Sequence, residues 1–161
     1  MPSTEFEFDL DGHKYRAGRL SVFDQLHVAS QWRDTLLGLA LAKKERPADI
    51  TDAGFREAMG IVLTGGLGRV TPQSREDISK MLLSVVTRQH KGAEGVGWAP
   101  VAASDGGMMF QDIQLLQLPL MFYTVLDHNG ILDFFSGAPS TQGGARETKA
   151  TGPRSLTERA G

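Results

Sequence analysis

The segment SREDISKMLLSVVTRQHKGAEGVGWAPVAASDGGMMF, residues 74–110, reads as a third helix followed by a short hairpin. Ser74 followed by Asp77 three positions later is a helix-opening pattern, and Ile78, Leu82, Val85, Val86 and Gln89 recur at three and four, the spacing of one buried helical stripe. His90-Lys91-Gly92 supplies basic residues and then glycine, the usual helix ending. Gly92 to Gly97 reads as a flexible lead-in. Trp98-Ala99-Pro100-Val101 and Gly107-Met108-Met109-Phe110 then flank Ser104-Asp105-Gly106 as a short hairpin. Pro100 makes its first arm an edge or irregular strand, because proline has no N–H to give to a ladder.

Toward the N-terminus, Phe6, Phe8 and Leu10 alternate, Asp11-Gly12 offers a turn, and Tyr15 and Ala17 resume the alternation, which is a hairpin signature. Ser21 is a candidate cap for a helix over 22–44, with Val22, Leu26, Ala29, Trp32, Leu36 and Leu39 as its stripe. Arg46-Pro47 ends it. Thr51 or Asp52 caps a second helix carrying Phe55, Ala58, Met59 and Val62, and residues 63–72 (LTGGLGRVTP) read as a loop. Toward the C-terminus a last helix is expected over 112–126, kinked or divided near Leu118 by Pro119, and the apolar piece 131–135 closes the body. The expected fold is mainly α with two short β-hairpins (α+β), a small single-domain helical bundle over residues 1–135.

Composition bounds the rest. The chain has 161 residues and a net charge of −2, enough for one ordinary core. With no Cys it has no disulfide framework, thiolate metal site or Cys nucleophile. Glycine, 19 residues, is in excess, and five of these lie in 137–161. All 12 aromatic residues precede that segment. Residues 136–161 are polar and small with Leu156 as their one large aliphatic, so burial cannot offset the entropy of ordering them, and a disordered tail is expected. The charge balance gives no footprint for nucleic acid. The acidic, alternating N-terminus does not read as a secretory signal, and the apolar run 113–126 is too short to span a membrane.

Candidate chemistry is sparse. Gly65-Gly66-Leu67-Gly68 lacks the Lys-Ser/Thr of a phosphate loop and reads as a connector. His13, His27, His90 and His128 are isolated, without the spacing of a metal site. Ser74, Ser79, Ser84 and Ser104 sit in no nucleophile elbow. Asp9 with Asp11, or Asp127 with Asp133, offers the elements of acid–base work, though solvated caps and turns are the commoner reading. No catalytic, cofactor-binding or metal residues are assigned. The last helix is more informative: Leu115, Leu118, Phe122 and Val125 form a core stripe, while Leu116, Leu120 and Tyr123 form a second on another face. Such a helix is either buried all round, covered by the first helix and the Trp98 hairpin, or meets a partner.

The assembled pattern has a relative. Phe6-x-Phe8-Asp9-Leu10-Asp11-Gly12-x-x-Tyr15-Arg16-x-Gly18-Arg19-Leu20-Ser21, then Asp24-Gln25-Leu26-His27-Val28-Ala29, Gly97-Trp98-Ala99-Pro100-Val101 and Met109-Phe110-x-Asp112-Ile113 resemble the small tail assembly chaperones of long-tailed bacteriophages, over roughly residues 5–135. The resemblance implies a non-catalytic binder that holds the tape measure protein while the tail tube assembles around it. It implies contact with the tail tube protein, work in the cytoplasm of the infected host and absence from the mature virion. It also allows for a frameshift-extended form of the same chain. No cofactor, nucleic acid or membrane enters this reading. The client face would be Leu116, Leu120 and Tyr123 with Met108 and Met121, methionine adapting to an irregular client surface. A structural or adaptor protein of the virion, or a small enzyme of another type, remains open at this point.

Overall fold

The computed structural model describes residues 5–45, 49–92 and 95–136. Asp11 and Gly12 take positive φ (52° and 87°) and close a tight turn between β1 (Phe6–Leu10) and β2 (His13–Ala17), with Leu10 opposite His13. Period-two alternation then buries Phe8, Leu10, Tyr15 and Ala17 on one face. Ser21 caps α1 (Val22–Gln31), its hydroxyl accepting the Asp24 N–H at 3.0 Å. The expected helix over 22–44 is interrupted at Trp32, and α2 (Arg33–Glu45) restarts beyond it. The two halves have different neighbours. Gln31 at the end of α1 accepts from Ser74, whereas α2 lies against two later helices, α3 (Ala53–Arg69) and α6 (Ile131–Ser136). The break therefore leaves Val22 and Leu26 exposed, contrary to the single-stripe expectation, while Val28, Trp32, Leu36 and Leu39 stay in the core.

Asp52 caps α3, accepting the Phe55 N–H at 2.8 Å. The helix runs through the expected loop at 63–69, because Gly66 packs face to face with Thr35 of α2 and the burial of Phe55, Met59 and Leu63 outweighs the propensity cost of the glycines. Thr71 caps α4 (Pro72–Leu83), with Pro72 in the first turn where its missing N–H costs nothing.

The principal correction to the expected fold follows α4. Residues 86–92 are not its last turns but strand β3 (Val86–Gly92), paired antiparallel with β2 and with β4 (Gly95–Pro100). The result is a four-stranded antiparallel sheet in the order β1-β2-β3-β4, and the fold is mixed α+β, not a helical bundle with two separate hairpins. Val85, Val86 and Gln89 fit a helical period as well as a strand. Three β-branched residues in a row, Val85-Val86-Thr87, and the unpaired edge of β2 decide for the strand. Trp98 thus pairs back to Gln89, and what remains of the expected second hairpin is a bridge between Ala102 and Met108 around the Asp105-Gly106 turn. Pro100 does end an edge strand.

A 3-10 turn (Leu115–Gln117) leads into α5 (Leu118–His128), so the last long helix is divided at Leu118, as Pro119 requires, and does not begin at Asp112. Every residue from Pro119 to Leu126 is buried, among α3, α4, α6 and β2. Each large apolar side chain among them contributes on the order of 1.5–3 kcal/mol. Asn129 fastens the end of α5 to the β2–α1 link: its side chain accepts from Leu20 N–H at 2.9 Å and donates to the Gly18 and Val125 carbonyls. Gly130 (φ 75°) turns the chain into α6, which includes Ser136; the rest of the expected tail, 137–161, lies outside the described residues.

Candidate functional site

The five residues expected to form one partner-facing surface do not share one. Leu120, Met121 and Tyr123 are 1%, 0% and 3% exposed and belong to the core, with Tyr123 edge-on to Phe55 at 5.0 Å. Met108 is half-buried against the same core. Leu116 stands apart at 78% exposed, and its neighbour Leu115, expected in the core, is equally exposed. The second apolar face of the last helix is therefore covered from within, chiefly by α3, α4, α6 and β2. Burial also pushes the Tyr123 phenol above its ordinary range, with Asp127 and Asp133 adding to the effect, so it stays protonated.

What the structure presents instead is a groove of about 520 Å³ between α3 and the 3-10 turn. Leu115, Leu116 and Pro119 make one wall, and Ala53, Gly60, Ile61 and Thr64 of α3 the other, with Arg56 and Glu57 on the rim. Ile61 is also exposed. Both walls are tied to the β1–β2 turn. Arg56 donates two hydrogen bonds to the Asp11 carboxylate, at 3.1 and 2.9 Å, and Gln117 donates a third at 2.9 Å. Gln117 also accepts the Gln114 N–H at 2.9 Å, closing the turn that carries the two leucines. The Arg56 contact first, then Gln117, holds the Asp11 carboxyl below its usual range, so it remains charged well into acid.

A second clamp holds the chain that leads to this lip. Arg88 of β3 makes a two-pronged ion pair with Asp112, both N···O distances 2.9 Å, and lies 4.4 Å above the Phe110 ring. His13 approaches the same carboxylate at 3.2 Å. The Arg88 bond holds the Asp112 carboxyl down. Arg88 is itself buried within the sheet face, so the irregular segment 101–114 is strapped across the sheet and delivers Leu115 and Leu116 to the surface in a fixed place. The arrangement is a rigid apolar lip, suited to holding an apolar segment of another chain.

The other candidates resolve into structural roles. Asp127 and Asp133 converge on Lys43, joining α2 to α5 and α6. Asp9 pairs with Lys14, Ser84 donates to the Met81 carbonyl, and Gly65-Gly66-Leu67-Gly68 lies within α3. Among the described residues no group of three or more His, Asp or Glu is placed to hold a metal ion, and no helix is long and apolar enough to cross a membrane. Sequence reasoning missed Leu115 and the Asp11 staple. Pro119 was the available signal for the first, since proline favours the opening turn of a helix and so puts residues 115 and 116 ahead of it. Nothing local marks Asp11 as more than a turn residue.

Comparison with known proteins adds the family. No curated protein and no solved structure matches the chain. The family model described as phage tail assembly chaperone protein, TAC, matches residues 11–139, a span that begins at the Asp11 staple and contains both clamps and the groove. With 129 of its 161 residues inside that match, the chain belongs to the phage tail assembly chaperone family.

Proposed function

We propose that this tail assembly chaperone holds the tape measure protein during tail-tube assembly, and that it does so through the groove lined by Leu115, Leu116 and Ile61. One observation carries the reading: two adjacent leucines stand 78% exposed on a turn that two separate clamps hold in place, beside a helix that is buried all round. Exposed apolar side chains on a turn held by several side-chain hydrogen bonds and an ion pair mark an interaction surface more than a packing accident. The surface is small. Covering three aliphatic side chains contributes about 1.5–3 kcal/mol each before the cost of association, which suits weak, reversible binding by many copies along one elongated client. Growth of the tube then displaces each copy, and the chaperone works without catalysis in the cytoplasm of the infected host and is absent from the mature virion.

The test is co-purification of the co-expressed tape measure protein with the chaperone carrying Leu115→Asp and Leu116→Asp. Capture is expected to fall to background while circular dichroism and thermal unfolding match the unmodified chain, because neither leucine is in the core. Undiminished capture by the folded variant would remove the groove from the function. Detection of the chain in purified particles at stoichiometric amount would favour a virion adaptor instead.

A further inference from the structure

The wall of the groove formed by α3 extends along the whole helix. Its outward stripe is Ala53, Glu57, Ile61, Thr64, Gly65 and Gly68, all exposed. Gly66 is explained by its own fold, since a Cβ there would meet the Thr35 hydroxyl at 2.1 Å. Gly60, Gly65 and Gly68 are not, because a Cβ at any of them meets nothing within 4 Å among the described residues. Glycine is less favourable than alanine inside a helix, and Gly65 and Gly68, both on the exposed stripe, leave a notch that nothing among the described residues fills. Ile61 projects from the same stripe. The charges on it sit at opposite ends: Glu57 in the N-terminal half and Arg69 on the flank of the last turn, each without an ion-pair partner among the described residues.

We infer that a second copy of this chain covers this face, with the two α3 helices antiparallel about a two-fold axis near residue 63. Glu57 and Arg69 are 12 positions apart, about 18 Å along the helix at ~1.5 Å per residue. Antiparallel pairing about that centre brings Glu57 of each copy to the second copy's Arg69, so both charges are answered twice. The same operation lays each Ile61 into the notch over the second copy's Gly65 and Gly68, and lays Leu115 and Leu116 alongside. Small residues permit the close backbone approach, and a two-fold contact requires a surface complementary to itself, which this stripe is in both shape and charge. The pair covers the lip that the client reading uses, so self-association and client binding exclude one another; the association itself does not depend on that reading.

Sedimentation of the full chain alone across the micromolar range tests it. A monomer–dimer equilibrium is expected. Glu57→Arg and Arg69→Glu should each raise the dissociation constant about tenfold, and the two together should restore it, since the swapped charges again face each other. Gly65→Ala with Gly68→Ala should weaken the dimer comparably while leaving the monomer folded and no less heat-stable, which separates loss of the interface from loss of the fold. A chain that stays monomeric would overturn the proposal. So would a dimer indifferent to the alanine pair, or charge reversals that the double swap fails to rescue.

Discussion

Gly66→Ala probes the α2–α3 crossing on which one wall of the groove depends. A methyl at residue 66 would stand 2.1, 2.5 and 2.8 Å from the Oγ1, Cγ2 and Cβ of Thr35. Thr35 is itself buried and branched at Cβ, so it has no free rotamer into which all three atoms can retreat. Overpacking of this kind costs about 1–3 kcal/mol, and the gain in helix propensity from glycine to alanine offsets about 1 kcal/mol of it. The net expectation is a loss of up to about 2 kcal/mol, read as a Tm lower by up to roughly 8 °C for a domain of this size. Gly65→Ala, one position away on the open side, has the propensity gain and no clash, so its Tm should rise at low protein concentration. Thermal unfolding by circular dichroism gives both numbers. Thr35→Ala added to Gly66→Ala should recover most of the loss, because it removes the two nearest contacts. A Gly66→Ala Tm that rises in parallel with Gly65→Ala, or shows no coupling to Thr35→Ala, would refute the packing given for this crossing.

Asn129→Ala leaves the Leu20 N–H and Gly18 carbonyl without their buried partner, and chemical unfolding should show a loss of about 2–3 kcal/mol. Asp112 and Asp11 have carboxyls held below the ordinary value of 3.8 by Arg88 and Arg56, so their contribution is complete above that value and is lost as pH falls through the lower folded values. Asp112→Asn should therefore destabilise the chain at neutral pH and flatten the decline of stability in acid, measured by urea titration between pH 2 and 6 (roughly the carboxyl range). Leu115→Asp with Leu116→Asp should alter unfolding free energy by less than about 0.5 kcal/mol, since both side chains are exposed; a larger loss in the same titration would mean that the lip packs on the body.

The legible parts of the sequence were those with local chemistry. Asp11-Gly12 fixed the first hairpin, Ser21 and Asp52 marked helix starts, and Pro119 divided the last helix, because each acts through its own backbone or the next turn. The errors came where distant partners decide. Residues 86–89 satisfy both periods, and pairing with β2, some seventy positions earlier, settles what the local β-branched run only favours. Trp32 interrupts a helix whose pattern is continuous, since its two halves answer to different neighbours. Gly65, Gly66 and Gly68 look like a loop until Thr35 of another helix explains the middle one. The candidate site was half legible: Leu116 was found through the surplus of apolar residues around Pro119, whereas Leu120, Met121 and Tyr123 belong to the same surplus but are buried by α3 and β2.

The most direct measurement places a photo-crosslinking amino acid at residue 116 in the full chain, with residue 26 on exposed α1 as the control, and irradiates cells that also make the tape measure protein. A crosslinked product containing the tape measure protein from residue 116, absent or much weaker from residue 26, is the result expected if the groove holds the client. Equal products from both positions, or a product from residue 26 alone, would contradict it.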